Sequence, residues 1–409
     1  MTKRLSIILT TVILVAAFSA TAWAQMLSAD LPDIQGLKIG DTNARLHVGM
    51  KTSLIYDDNI YLSKDNEKDD LITVLEPMVA VVAPFGDNRF IAEYKFSQYL
   101  YADYTKEDHP DHLVKGLIEI NMTDYQLTLA EQYQRFTNRA NMEDSSRIRQ
   151  QTNNFRAGIA TVNENRLGFD IGYRNRVEDY ISNQIITGNM KYDDKDRMYH
   201  IADIQLLYRF APKTSLILET DLGWIRYDND YNSDSFYVEP LIGIKGEITN
   251  KITANIRGGY RQQEYETSSL VINEDFESAV VRGGIDFQMT KDDMLNLAVE
   301  RSAYESTYKT INYYEGTSGI LKYTHAFSKK LSLSPYGTYQ WHRYPKETTE
   351  DSDTKKRRDK IFGGGVSLKY LMREWVAFEA KYDYKEKDSN FDKFDYKDNA
   401  VTVSATIGF

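Results

Sequence analysis

Apolar and polar residues alternate with a period of two along most of this chain. The alternating runs are joined by connections that are short and long in turn. Leu167, Phe169, Ile171 and Tyr173 share one face, with Gly168, Asp170, Gly172 and Arg174 on the other. In the same way Ile252, Ala254, Ile256 and Tyr260 oppose Thr253, Asn255, Arg257 and Arg261, and Val281, Ile285, Phe287 and Met289 oppose Arg282, Asp286 and Gln288. That period belongs to a β-strand with unlike faces. Turn residues interrupt the runs briefly near 84–88, 123–124, 163–165, 211–213, 249–251, 290–293, 328–330 and 372–374. Longer charged connections lie at 57–70, 105–112, 138–147, 180–197, 228–235, 265–276, 304–313, 345–358 and 385–397. The repeating unit is one hairpin of about forty residues. A propeller blade would fit four short strands into that length, and here only two long ones can be placed.

Charged residues stay off the apolar face in these runs, as lipid requires: a Lys or Arg at the bilayer midplane costs about 2–4 kcal/mol. Tyr is abundant, at 30 against 17 Phe and 4 Trp, and Pro is sparse at 8, which suits strands edged by aromatic girdles. Beyond the N-terminal segment no stretch approaches the ~20 apolar residues of a spanning helix. The expectation is an all-β fold, a single transmembrane antiparallel β-barrel of about eighteen strands (roughly 16–18), with short periplasmic turns and long extracellular loops. The stretch Asn399 to Phe409 carries Val401, Val403, Ala405 and Ile407 on one face. It should close on Arg45 to Tyr56, that face toward lipid and Phe409 at the periplasmic rim.

Lys3 and Arg4, the apolar run Leu5 to Phe18 and the small-x-small triplet Ala22-Trp23-Ala24 read as a secretory signal peptide over residues 1–24. Residues 25–44 form a short periplasmic lead and 45–409 the barrel, a single domain. Losing Lys3 and Arg4 takes the net charge from −10 to −12. An acidic chain without a basic block argues against nucleic acid. Zero Cys excludes disulfides, zinc–thiolate sites and thiol catalysis.

No Gly-x-Ser-x-Gly or His-Glu-x-x-His occurs, so no catalytic residue, cofactor or metal is expected. His109-Pro110-Asp111-His112 has ligand-like spacing but reads as loop decoration. Asp57-Asp58-Asn59 and the acidic run Asp65 to Asp70 lack the central Gly of a calcium loop and read as a solvated loop. Candidate lumen groups are Arg174, Arg176, Arg257, Arg261, Arg282, Lys369 and Lys381 against Glu93, Asp170, Glu219, Asp221, Glu239, Glu247 and Asp286. They form either a hydrated wall of paired charges or an ion filter. Tyr99, Tyr101, Tyr237 and Tyr336 share the inward phase, where ring faces could stack on sugars; girdle placement is the alternative.

The segment from Leu46 through Tyr56-Asp57-Asp58-Asn59-Ile60-Tyr61, continuing as Asp70-Leu71-Ile72-Thr73-Val74-Leu75-Glu76-Pro77, resembles the start of a β-barrel porin family of Gram-negative outer membranes. That family is often associated with exopolysaccharide biosynthesis and export. The resemblance implies an outer-membrane channel translocating an exopolysaccharide, with periplasmic export proteins and the polysaccharide as partners. A diffusion porin for small solutes or ions is the alternative. It also implies Phe409 as a signal read by the barrel-assembly machinery, outer-membrane lipid as surroundings, and no catalytic residues.

Overall fold

The computed structural model describes residues 36–139, 143, 147–162, 166–267 and 275–409. The expected signal peptide, most of the expected 25–44 lead, the turn at 163–165, most of 138–147 and part of 265–276 lie outside the described residues.

The wall strands are β1 Arg45–Asp57, β2 Asp70–Phe85, β3 Asn88–Tyr101, β4 His109–Asn121, β5 Tyr125–Arg139, β6 Arg147–Thr161, β7 Leu167–Ile181, β8 Arg197–Ala211 and β9 Thr214–Tyr227. They continue as β10 Ser235–Glu247, β11 Ile252–Tyr265, β12 Phe276–Gln288, β13 Asp293–Glu305, β14 Tyr313–Ala326, β15 Leu331–Glu350, β16 Asp353–Arg373, β17 Val376–Ser389 and β18 Tyr396–Gly408. Each pairs antiparallel with its neighbours, and β18 returns to β1 from Gly49↔Gly408 to Asp57↔Ala400. The result is a closed 18-stranded barrel. Closure leaves no sheet edge, which matters in lipid because unpaired backbone groups there find no water.

The alternation seen in the sequence divides outside from inside. Val401, Val403 and Ile407 are exposed on the outer face of β18. Phe409 continues the ladder, exchanging both backbone hydrogen bonds with Val48 (3.0 and 2.8 Å). Its ring stacks on Trp375 of the β16–β17 turn at 5.8 Å, so the two aromatics mark the periplasmic rim together. Leu37–Lys38 adds a short strand against Arg45 and Leu46 at the same end.

Two expectations change. The stretch 345–358 is no long loop: β15 and β16 run on to a two-residue turn at Asp351 (φ 50°) and Ser352 (φ 71°). Positive φ at both positions suits a tight hairpin. Beyond the membrane a ladder can be polar on both faces, so charge does not signal a loop there. His109 and His112 lie within β4 and point to opposite sides. His109 stacks inward on Tyr99 at 4.6 Å, and His112 meets Tyr94 and Phe96 outside. They share no metal.

Carboxylates and amides tie the extracellular ends together. Asn59 is buried and joins the first and last strands, its Nδ2 donating to the carbonyls of Ser63 (2.8 Å) and Lys397 (2.7 Å). Asp58 accepts from the backbone N–H and Nδ2 of Asn399, both at 2.7 Å. Asp70 accepts four backbone N–H groups, from Leu71, Ala102, Asp103 and Tyr104 (2.7–3.1 Å). A related latch recurs: the N–H of Tyr101, Tyr180, Tyr227 and Tyr265 donates to Asp108, Asp196, Asp234 and Asp275 respectively (2.7–3.0 Å). Each Asp sits at the start of the returning strand, so the neck of each loop is closed by the chain's own acid.

Candidate channel lumen

Seven adjacent strands, β6 to β12, carry a continuous ion lattice on their inner face. Arg156 of β6 donates to Asp170 of β7 (2.9 Å) and Asp203 of β8 (3.1 Å). Arg174 links Asp203 (3.0 Å) to Asp221 of β9 (2.8 Å). Arg282 of β12 reaches Asp221 (2.9 Å), Glu219 (3.0 Å) and Glu239 of β10 (2.8 Å). Arg257 and Arg261 of β11 complete it on Glu219 (2.6 Å) and Glu239 (2.5 Å). Arginines Arg156, Arg174, Arg257, Arg261 and Arg282 thus face carboxylates Asp170, Asp203, Glu219, Asp221 and Glu239, sign against sign. Arg156 and Asp221 are 1% exposed and Glu239 2%, while the side chains of Arg174 and Arg282 keep 17%, so the carboxylates are shielded behind the guanidinium groups. Guanidinium forks suit such shared contacts because each offers several donors in a fixed plane.

A second tier lies nearer the extracellular end. Arg176 and Arg197 flank Glu178, and Arg197 packs over the rings of Tyr180, Tyr199 and Tyr227 at 5.7–5.9 Å. Glu305 accepts from the hydroxyls of Tyr227 and Tyr265 (both 2.8 Å) and from Gln263 (2.9 Å).

The opposite wall is wetter. Lys51 and Lys95 each lie 3.9 Å from Glu76, with side chains 25% and 21% exposed. Lys381 pairs with Asp383 at 2.9 Å and is 29% exposed. Asp383 also accepts from the Tyr336 hydroxyl. Lys369 is exposed on the inner face toward the periplasmic end; on the lattice side, Asp286 of β12 is exposed at the same end and accepts from Asn296 (2.6 Å). Glu93 lies 3.5 Å from Lys115, and Glu247 bonds Lys213 at the β8–β9 turn.

The tyrosine faces are in use. Tyr237 is buried under Arg261 at 4.0 Å. Tyr101 is buried beneath Arg147 at 5.2 Å and accepts its hydrogen bond. Tyr99 is stacked on His109.

Across the extracellular mouth, the β13–β14 loop is buried from Ser306 to Tyr308 and at Ile311 and Asn312. Glu143, from the β5–β6 loop, accepts from Ser306 Oγ (2.6 Å), Thr307 N (2.7 Å) and Thr307 Oγ1 (2.9 Å). Its carbonyl accepts from Arg357 of β16 (2.6 Å), which is fully buried, chelates Asp359 and lies 3.6 Å from the Phe394 ring centroid. Strands β5 and β16 stand on well-separated parts of the wall, so this knot bridges the opening.

Among the residues not singled out from the sequence, Arg156 and Asp203 are central. Phe155, Ala157 and Ile159 do set the phase that turns Arg156 inward, but both faces of β6 are polar above them. Among the described residues one acidic cluster has carboxylate oxygens within 4.8 Å, Asp57, Asp58 and Asp398, and Asp58 is engaged in the β1–β18 seam.

A closed, charge-lined antiparallel barrel with short turns at one end and long loops at the other defines an outer-membrane channel. The chain belongs to the family described as Putative beta-barrel porin 2, whose profile matches residues 34–409. It is an outer-membrane β-barrel protein of a Gram-negative bacterium. A search of curated proteins finds no match. Similar solved structures include the outer membrane protein opdK from Pseudomonas aeruginosa, at 11% identity and TM-score 0.48, over 89% of this chain and 99% of that one. A BenF-like porin from Pseudomonas fluorescens shows 9% identity and 0.48, over 90% and 99%. The siderophore receptor PirA from Pseudomonas aeruginosa shows 8% and 0.48, over 91% and 81%.

Proposed function

We propose that this barrel is a diffusion channel for small hydrophilic solutes. The observation that carries the reading is the asymmetry of the lumen: one wall is locked by the Arg–carboxylate lattice, while the side chains of Lys51, Lys95, Lys381 and Asp383 on the facing wall stay 21–29% exposed, in contact with water. Paired charges of both signs hydrate a passage without holding any one solute tightly, as conduction requires. The knot joining Glu143, Thr307 and Arg357 across the mouth narrows the way in, which favours compact solutes over a polymer.

The polysaccharide reading rests on inward tyrosines and on the first-hairpin resemblance. The faces of Tyr99, Tyr101 and Tyr237 are taken by His109, Arg147 and Arg261. In the first hairpin Asp58, Asn59 and Asp70 are engaged in strand joining.

Liposome swelling tests the proposal. Vesicles holding the folded barrel should swell with monosaccharides and amino acids, at rates falling steeply as solute size increases. Absence of swelling with every small solute, together with lost surface polysaccharide on gene deletion, would restore the export reading.

A further inference from the structure

Beyond the lipid-facing band, the outer surface of β13 to β16 turns basic. On β16, Lys356, Arg358 and Lys360 are exposed and alternate with buried Arg357, Asp359 and Ile361. They therefore project away from the lumen. Arg343 of β15 stands directly opposite Arg358, and Trp341 opposite Lys360. Directly opposed like charges destabilise a ladder unless something neutralises them. Arg343 lies 4.7 Å over the Trp341 ring and shares one Glu315 oxygen with Arg301, at 2.6 and 2.8 Å. The carboxylates on this surface are Glu315, Glu347 opposite Lys356, Asp388 opposite Lys360, and Glu386 opposite Phe362, the last paired with Lys397 at 3.3 Å. Cations Arg301, Arg343, Lys356, Arg358 and Lys360 outnumber them. Lys356, Arg358 and Lys360 make no salt bridge with a described residue.

The level of this patch is set by its neighbours. Tyr339 and Phe362, 5.1 Å apart, cap an apolar outer surface that continues toward the periplasm through Val366 and Leu368. Lys360 is the next outward residue past Phe362 and Arg358 the one after, each step about 7 Å along the strand. Groups just beyond an aromatic girdle on the long-loop side sit among the headgroups of the outer leaflet.

We propose that this surface holds a phosphorylated glycolipid of the outer leaflet, with a phosphate seated between Arg343, Arg358 and Lys360 and the acyl chains along the Tyr339–Phe362 face. Guanidinium groups bind phosphate through paired, charge-assisted hydrogen bonds, and the bound anion neutralises the Arg343–Arg358 opposition. The patch adjoins the apolar wall that acyl chains cover, which favours a membrane lipid over a soluble anion. The inference stands independently of what the lumen conducts.

Native mass spectrometry of the full barrel in mild detergent, titrated with bis-phosphorylated lipid A, tests it. The wild type should retain the glycolipid, and Arg358→Gln/Lys360→Gln should weaken it about tenfold or more. Both residues are exposed and outside the fold's ion pairs, so this variant keeps a heat-modifiable barrel; Arg343→Gln is the second variant. A control of equal charge loss, Lys106→Gln/Lys329→Gln, should bind as the wild type does. Dephosphorylated lipid should bind about tenfold more weakly, and excess inorganic phosphate should displace nothing. Equal retention by the folded double variant, equal binding of the dephosphorylated lipid, or displacement by inorganic phosphate would each overturn the proposal.

Discussion

Replacing Val403 by Arg puts a charge where the barrel meets hydrocarbon. Val403 lies midway along the apolar outer face of β18, 54% exposed, between Leu54 of β1 and Ala380 of β17. A Lys or Arg at the midplane of a barrel wall costs about 2–4 kcal/mol. That corresponds to roughly a 30- to 800-fold loss in the folding equilibrium, at about 1.4 kcal/mol per factor of ten. The adjacent Thr402 faces inward, paired with Lys381, so Thr402→Glu should gain a partner and cost little. Urea titration of both variants in lipid vesicles, followed by tryptophan fluorescence and heat-modifiability, reads the contrast. Equal midpoints, or a larger loss in Thr402→Glu, would refute the assignment of faces and with it the inward placement of the lattice.

Other perturbations address separate parts of the molecule. Asp70→Ala takes the acceptor from the Asp103 and Tyr104 N–H groups of the β3–β4 loop, Ala102 keeping the Leu71 carbonyl, and should cost about 2–3 kcal/mol, seen as proteolytic nicking between 102 and 108. Arg282→Gln removes the cation shared by Glu219, Asp221 and Glu239; stability should drop by on the order of 3 kcal/mol, and the reversal potential in a salt gradient should move toward cations. Lys195 is buried in the β7–β8 loop, and burial followed by the Arg197 charge pulls its pKa from 10.5 down to about 8. Between those values the unfolded chain holds more protons, so stability rises with pH from 8 to 10.5 and the penalty is constant below 8; Lys195→Met should flatten that rise in urea midpoint. Deleting Phe409 removes the Val48 pairing and the Trp375 stack and should reduce the amount of barrel recovered from outer membranes.

Lipid makes much of this architecture legible in sequence. A wall strand must keep charge off one face, so Val401, Val403 and Ile407 announce the outside and Arg257, Arg261 and Arg282 the inside. The lattice partners are harder to read, because a strand's phase gives direction but not cross-strand height. Asp203 meets Arg174 through register alone. Above the membrane the constraint lapses, and the charged sequence of the β15–β16 hairpin reads as a loop. The mouth is illegible for a different reason: Glu143 and Arg357 meet across 214 residues of sequence, and no local pattern encodes so remote a contact.

Single-channel recording in planar bilayers tests the central claim most directly. A small-solute channel predicts discrete conductance steps that persist, unblocked, when long polysaccharide is added to the extracellular side, because the bridged mouth excludes it. A barrel that passes no ions until polysaccharide is present, or whose current long chains block from that side, would contradict the account.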